Sequence, residues 1–516
     1  MINKVYQLQE NFLNSLNIYK KIKNNQNYYH NFKIFFFIFL FINIIFLYFG
    51  KLYSINFHLF NPIWEDDFHL LTLKIKSTEQ ILKFFDSPRP IGYIIVGLTN
   101  NLPIKIHYLS YFLLSIFYQT LVFFIFSIFF KYQKDKLTIF VLICGLISCS
   151  FFEYFNMLRH LRAAGTFSSI FFYINLICLF NAVRTKNNIK YYFLIFISFL
   201  FVTLSIFSKE DFIIPFILNY FIFFLINQRQ NKSFTINILI LASFFLLVFV
   251  WFYVNTYIYI NPFIHDGAGV DENYLKSFNI FNIVFSYGVY LLYFNPTSYY
   301  TIFLILTLIF LIRKKQQTIK KIIYPIILII IIIFPFSLLK QKFITEYIMQ
   351  WFPIITSLLA FTIIEMTKII KSKFKKVLFF FIFFLTYVAS VLTSSRAINV
   401  TNNMLIKSSN YIHAIKDNQD LIKKYNITKI ILNGDGSVPN PWYRQTGSWF
   451  QDQLNLSNKW YVFTQANSNL YKVKDDFHYQ EQHNSKIKIY DINEVGNFPG
   501  LLIEFDDNGN IIKIIK

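Results

Sequence analysis

The chain has 516 residues, of which 55% are hydrophobic, 21% aromatic and 15% charged. A soluble globular protein carries about 25% charged residues, so this composition excludes an ordinary soluble enzyme and points to a polytopic helical membrane protein. The formal charge of +22 does not imply nucleic acid, because basic residues set between hydrophobic segments act as topology signals.

Residues 1–30 are polar and basic and read as a cytoplasmic N-terminal segment. Runs near the roughly 20 residues needed to cross a bilayer then recur near 33–49, 107–130, 137–152, 163–183, 191–207, 212–226, 235–254, 298–312, 322–338, 351–367 and 377–394, about eleven in all. With the N-terminus inside, the segments on its side hold 23 Lys and Arg and the opposite loops 12. That asymmetry is the positive-inside pattern. It places the loops 50–106 and 255–297 and the C-terminal tail outside the cytoplasm. The first segment lacks a small-residue cleavage site and reads as a retained span.

The stretch Asn61 to Gly92 is the longest polar interruption early in the chain and carries Glu65, Asp66, Asp67, Asp86 and Arg89. Three consecutive acids beside a membrane span repel one another until a cation, a shared proton or a substrate relieves them. The end of that loop, PIGYIIVGLTNNLP, is apolar and too short to span, as expected of a segment dipping into the membrane. Farther along, Glu153, Arg159, His160 and Arg162 precede the fourth span. On a helix, Arg159 and Arg162 share a face and suit one anionic group; snorkelling to lipid headgroups is the competing account. Ser208-Lys209-Glu210-Asp211 closes a short turn between the fifth and sixth spans.

The loop 255–297 holds His265, Asp266, Asp271 and Glu272 with Gly267 and Gly269. It reads as a lid. Its spacing matches no specific metal site, so no cofactor follows from the residues and a divalent cation stays open. Cys144, Cys149 and Cys178 all fall in apolar runs, which leaves no disulfide framework. Residues 31–394 thus form the expected transmembrane domain and residues 395–516 a small α/β soluble domain. In the latter ITKIILNGDG reads as a strand entering a turn, and LLIEFDDNGNIIKIIK as a hairpin about Asn508-Gly509.

Trp64-Glu65-Asp66-Asp67, then Arg89-Pro90, then Ser208-Lys209-Glu210 with Pro215 at the start of a later span, resemble motifs of the polytopic GT-C glycosyltransferases, especially the protein O-mannosyltransferase-like and related bacterial branches. The resemblance covers roughly residues 30–380. It implies transfer of a sugar from a polyprenyl-phosphate donor to an extracytoplasmic hydroxyl of a protein, lipid or surface glycan, in a bacterial plasma membrane and without nucleic acid. It further implies Asp67 or Asp66 as the base, Arg89, Arg159, Arg162 and Lys209 at the donor phosphate, and Glu65, Glu210 and His160 shaping the site. A flippase for lipid-linked saccharides is the alternative, with the same external charges serving as a vestibule. A noncatalytic anchor for the tail is a third reading, which eleven spans exceed.

Overall fold

The structure is a computed structural model. It describes residues 36–38, 40–41, 81, 89–99, 101–102, 104–130, 163–185, 187–209, 212–229, 234–253, 280–293, 297–314, 317–337, 350–425, 429–433, 460–472, 487–497, 502–506 and 509–515. The predicted span near 137–152, and most of the one near 33–49, lie outside these residues.

The described chain is mostly helical: α1 (Pro90–Thr99), α2 (Ile104–Phe130), α3 (Ala163–Arg184), α4 (Asn188–Ser208), α5 (Ile213–Arg229), α6 (Phe234–Tyr253) and α7 (Ile280–Gly288) come first. A π turn (Val289–Tyr293), α8 (Thr297–Lys314), α9 (Gln317–Ser337), α10 (Phe352–Ile369), α11 (Lys373–Asp417) and α12 (Gln419–Tyr425) follow. Among the described residues four stretches are long and apolar enough to cross a membrane: Gly165–Val183, Asn188–Ser208, Thr235–Tyr253 and Phe352–Ile369.

Burial grades across these four. The α10 stretch is 89% buried and the α6 stretch 22%, so α10 is the axis of the bundle and α6 its rim. Around α10 pack α2, α8 and α9. The outer helices expose apolar side chains, such as Ile189, Phe193, Phe196 and Leu200 on α4, at helical spacing along one stripe. An apolar stripe turned outward on a helix that is also apolar inward is the pattern of a helix solvated by lipid.

Part of the loop expected at 255–297 is helical, since α7 and the π turn occupy 280–293. The periodicity explains it. Ile280, Phe281, Val284 and Phe285 face outward while Ser286 and Tyr290 are buried. The Tyr287 hydroxyl donates to Ile330 O of α9 at 2.5 Å, and Tyr290 meets Trp351 edge-on at 5.5 Å.

The boundary expected at 394/395 falls inside α11, which runs unbroken for 45 residues. No Gly or Pro interrupts 373–417, so nothing local stops the helix where its apolar run ends. Its last turns enter a second core, in which Tyr411, Ile415 and Ile422 pack on a five-stranded sheet. The strands are β1 (Lys429–Leu432), β2 (Trp460–Thr464), β3 (Ile487–Asp491), β4 (Leu502–Phe505) and β5 (Ile511–Ile515), in the order β3-β2-β1-β4-β5. The first four are parallel and β5 is antiparallel to β4. Between β2 and β3 lies the short helix α13 (Asn469–Lys472). Desolvation lowers the pKa of Lys429, the buried first residue of β1.

The hairpin read from the sequence is present. Gly509 has φ +81°, and a Cβ there would lie 2.7 Å from Tyr411 Cδ2 and 2.9 Å from Lys407 O. The glycine therefore serves both the turn and the seating of the hairpin on α11. We expect Gly509→Ala to destabilise the sheet region by about 2 kcal/mol or more, read as a lower thermal midpoint and faster protease cleavage of the tail in the full chain; an unchanged midpoint would contradict this seating.

Candidate functional site

Arg89 immediately precedes α1, and Pro90 fills the first helical position, where a missing N–H costs nothing. The Tyr93 amide donates to Arg89 O at 3.1 Å, so Arg89 begins the hydrogen-bonded ladder. Arg89 itself is half-buried. Pro90, Gly92, Val96 and Gly97 are the buried residues of α1, and the helix packs against both α3 and α4. Small residues let helix backbones approach closely where no water competes.

The pair that α1 meets is held by a polar seam. Ser168 and Asn175 of α3 and Ser198 and Ser205 of α4 are each wholly buried. Each helix repeats them at seven residues, and Ser168 faces Ser205 as Asn175 faces Ser198. Seven up one helix and seven down the other is the register of an antiparallel hairpin with a heptad seam. A hydroxyl has one proton, and here both go to carbonyls: Ser168 Oγ donates to Lys209 O and Ser205 Oγ to Ser168 O, each at 2.9 Å. The two hydroxyl oxygens lie 3.0 Å apart. One layer deeper, the Asn175 amide donates to Ser198 Oγ at 2.7 Å and to Ser198 O at 3.0 Å, and Ser198 Oγ lies 2.7 Å from the Tyr220 hydroxyl of α5. A further layer joins Asn227 to Tyr191 and Asn237, both at 3.0 Å.

Lys209 caps α4. Its backbone is extended and its amide donates to Ser205 O at 2.9 Å, while Ser168 holds its carbonyl. Only 8% of Lys209 is exposed, so its position at the open end of the hairpin is fixed through two serines.

Among the expected site residues the structure thus describes Arg89 and Lys209, and it joins them indirectly: the helix that Arg89 opens packs on the hairpin that Lys209 closes. Glu65, Asp66, Asp67, Arg159, His160, Arg162 and Glu210 lie outside the described residues, as do His265, Asp266, Asp271 and Glu272. Among the described residues no group of three His, Cys, Asp or Glu is placed to hold a metal ion. Glu365, near the end of α10, pairs with Lys368 at 3.2 Å one turn on.

The serine seam was not anticipated, although its signal is in the sequence: polar residues at 168 and 175, and again at 198 and 205, keep a strict seven-residue interval inside apolar runs. Either Ser168→Val or Ser205→Val removes a donor and crowds the seam, so each is expected to destabilise the bundle by about 1–2 kcal/mol. The double variant should cost less than the sum, because the two share one set of bonds; unfolding of the purified chain in mixed micelles reads both, and strict additivity would refute a shared seam. No family model, no curated protein and no solved structure matches this chain.

Proposed function

We propose that the chain is a multi-pass membrane glycosyltransferase of GT-C type, taking a sugar from a polyprenyl-phosphate donor and passing it to an extracytoplasmic hydroxyl. The observation that carries the reading is the packing of the Arg89-led helix on the serine-locked hairpin that ends in buried Lys209. Two of the motifs behind the resemblance, far apart in sequence, thus belong to neighbouring elements of one assembly.

The chemistry asks for two things at once. A carboxylate must take the proton of the acceptor hydroxyl as its oxygen bonds to the anomeric carbon, and cations must meet the charge on the departing phosphate. Asp67 or Asp66 serves as the base. Arg89 and Lys209, with Arg159 and Arg162, serve the phosphate; Glu65, Glu210 and His160 shape the surroundings. The bond to the leaving oxygen breaks as the new one forms on the opposite face, so configuration inverts. No step requires a metal, and a divalent cation at the phosphate would act alongside the same residues.

About eleven spans, with the N-terminus in the cytoplasm and the tail outside, bring the acidic loop, the start of α1 and the open end of the α3–α4 hairpin to one side of a bacterial plasma membrane. The positive-inside distribution supports that orientation. The four long apolar helices suit the bilayer.

Transfer of radiolabelled sugar from polyprenyl-phosphate donors in membranes tests the reading. Asp66→Asn/Asp67→Asn should abolish transfer in correctly inserted protein, and Arg89→Ala or Lys209→Ala should slow it by about 100-fold. Full activity in the double variant would remove the base assignment. Absence of transfer with every donor would favour movement of lipid-linked saccharide across the bilayer instead.

A further inference from the structure

The C-terminal sheet has a topological switch point. The chain moves outward from β1 to β2 to β3, then returns to place β4 on the other side of β1. In open parallel sheets the crevice beyond the carboxyl ends of the two strands flanking such a reversal is where ligands bind. Here those strands are β1 and β4.

Two polar side chains meet there. Asn433, the residue after β1, donates its amide N–H to Phe505 O at 3.0 Å and its Nδ2 to Glu504 Oε1. Both residues are half-buried. Among the described residues Glu504 Oε2 and Asn433 Oδ1 meet no donor. Lys513 stands opposite Glu504 in the β4–β5 register, yet no ion pair joins them. The register slips between Glu504 and Phe505, and bulges of this kind re-aim side chains beside functional sites.

Other polar groups on the same edge bond to near neighbours in the sequence. Thr464 donates to Ser468 at 3.1 Å, and Glu494 and Asp491 accept from backbone amides at 3.1 and 2.9 Å. Those bonds are local, whereas Asn433 and Glu504 join across the two strands that flank the switch point.

We infer that the crevice between the carboxyl ends of β1 and β4 is a saccharide-binding site, in which Glu504 Oε2 and Asn433 Oδ1 accept from neighbouring sugar hydroxyls and the second Nδ2 proton of Asn433 donates to one. A hard cation is the poorer fit. The site offers one carboxylate where calcium takes six to eight oxygens, and the amide directs its N–H, not its carbonyl, at that carboxylate. The inference rests on the sheet alone and is independent of the transfer chemistry proposed for the membrane helices.

The test is retention of the full chain, in lipid nanodiscs, on immobilised mannohexaose, cellohexaose, galactohexaose and chitohexaose. At least one should retain the wild type, with no effect of EDTA. Glu504→Gln, nearly isosteric, and Asn433→Leu should each weaken that retention tenfold or more, with thermal midpoints confirming that the sheet is folded. If Asn433→Leu unfolds the sheet, Glu504→Gln decides alone. Retention by none of the four sugars, equal retention by folded Glu504→Gln, or retention abolished by EDTA would each overturn the inference, whatever the transfer assay gives.

Discussion

Inside an apolar helical bundle a hydroxyl or amide without a partner costs far more than it does in water, and a lipid-facing helix has no water to supply one. The α3–α4 seam meets that constraint for its donors by making side chains of one helix serve carbonyls of the other: Ser205 serves Ser168, Ser168 serves Lys209, and Asn175 serves Ser198, while Asn175 Oδ1 stays buried without a donor. Because each bond is directional, the seam also sets register. Sliding α4 by one residue would strand the hydroxyls on apolar surface. The apolar contacts of the bundle, being non-directional, impose no such stop. The placement of α1, of Lys209 and of whatever chemistry they support follows from this one register.

The sheet region obeys a different rule. Its core is an ordinary apolar one, with Tyr411 and Ile415 of α11 against Ile430, Leu432, Val462 and Phe505, and its precision comes from Gly509, whose hairpin lies so close to α11 that a methyl group does not fit. The bundle is thus registered by polar bonds within an apolar medium, and the sheet by steric contact at a turn. Each region uses the interaction that its surroundings make hardest to replace.

Much of this was legible in the sequence for physical reasons that differ by element. Apolar runs of bilayer length announced most of the helices, and Asn508-Gly509 between apolar runs announced the hairpin, because turn chemistry is local. The continuation of α11 past residue 394 was missed because the reading followed hydropathy, whereas helix continuity depends on the absence of Gly and Pro. The helix at 280–293 lies in the sequence as a short amphipathic aromatic stretch, periodic at Ile280, Phe281, Val284 and Phe285 but shorter than a span and so counted with the loop 255–297. Lys209 was picked out with its motif, but its burial and its clasp by Ser168 are tertiary facts; only the seven-residue interval of the serines hinted at them. Asn433 and Glu504 are 71 residues apart, and no local pattern joins them.

The unbroken α11 also has a mechanical meaning. Forty-five helical residues rise about 68 Å at 1.5 Å each, so the sheet is carried on the end of a rod rooted in the bundle, where α11 packs on α8. A tilt of about 5° at the root displaces the far end of such a rod by about 6 Å. The helix is thereby a lever arm, and small rearrangements among the apolar helices arrive at the sheet amplified to the length of an ordinary side chain.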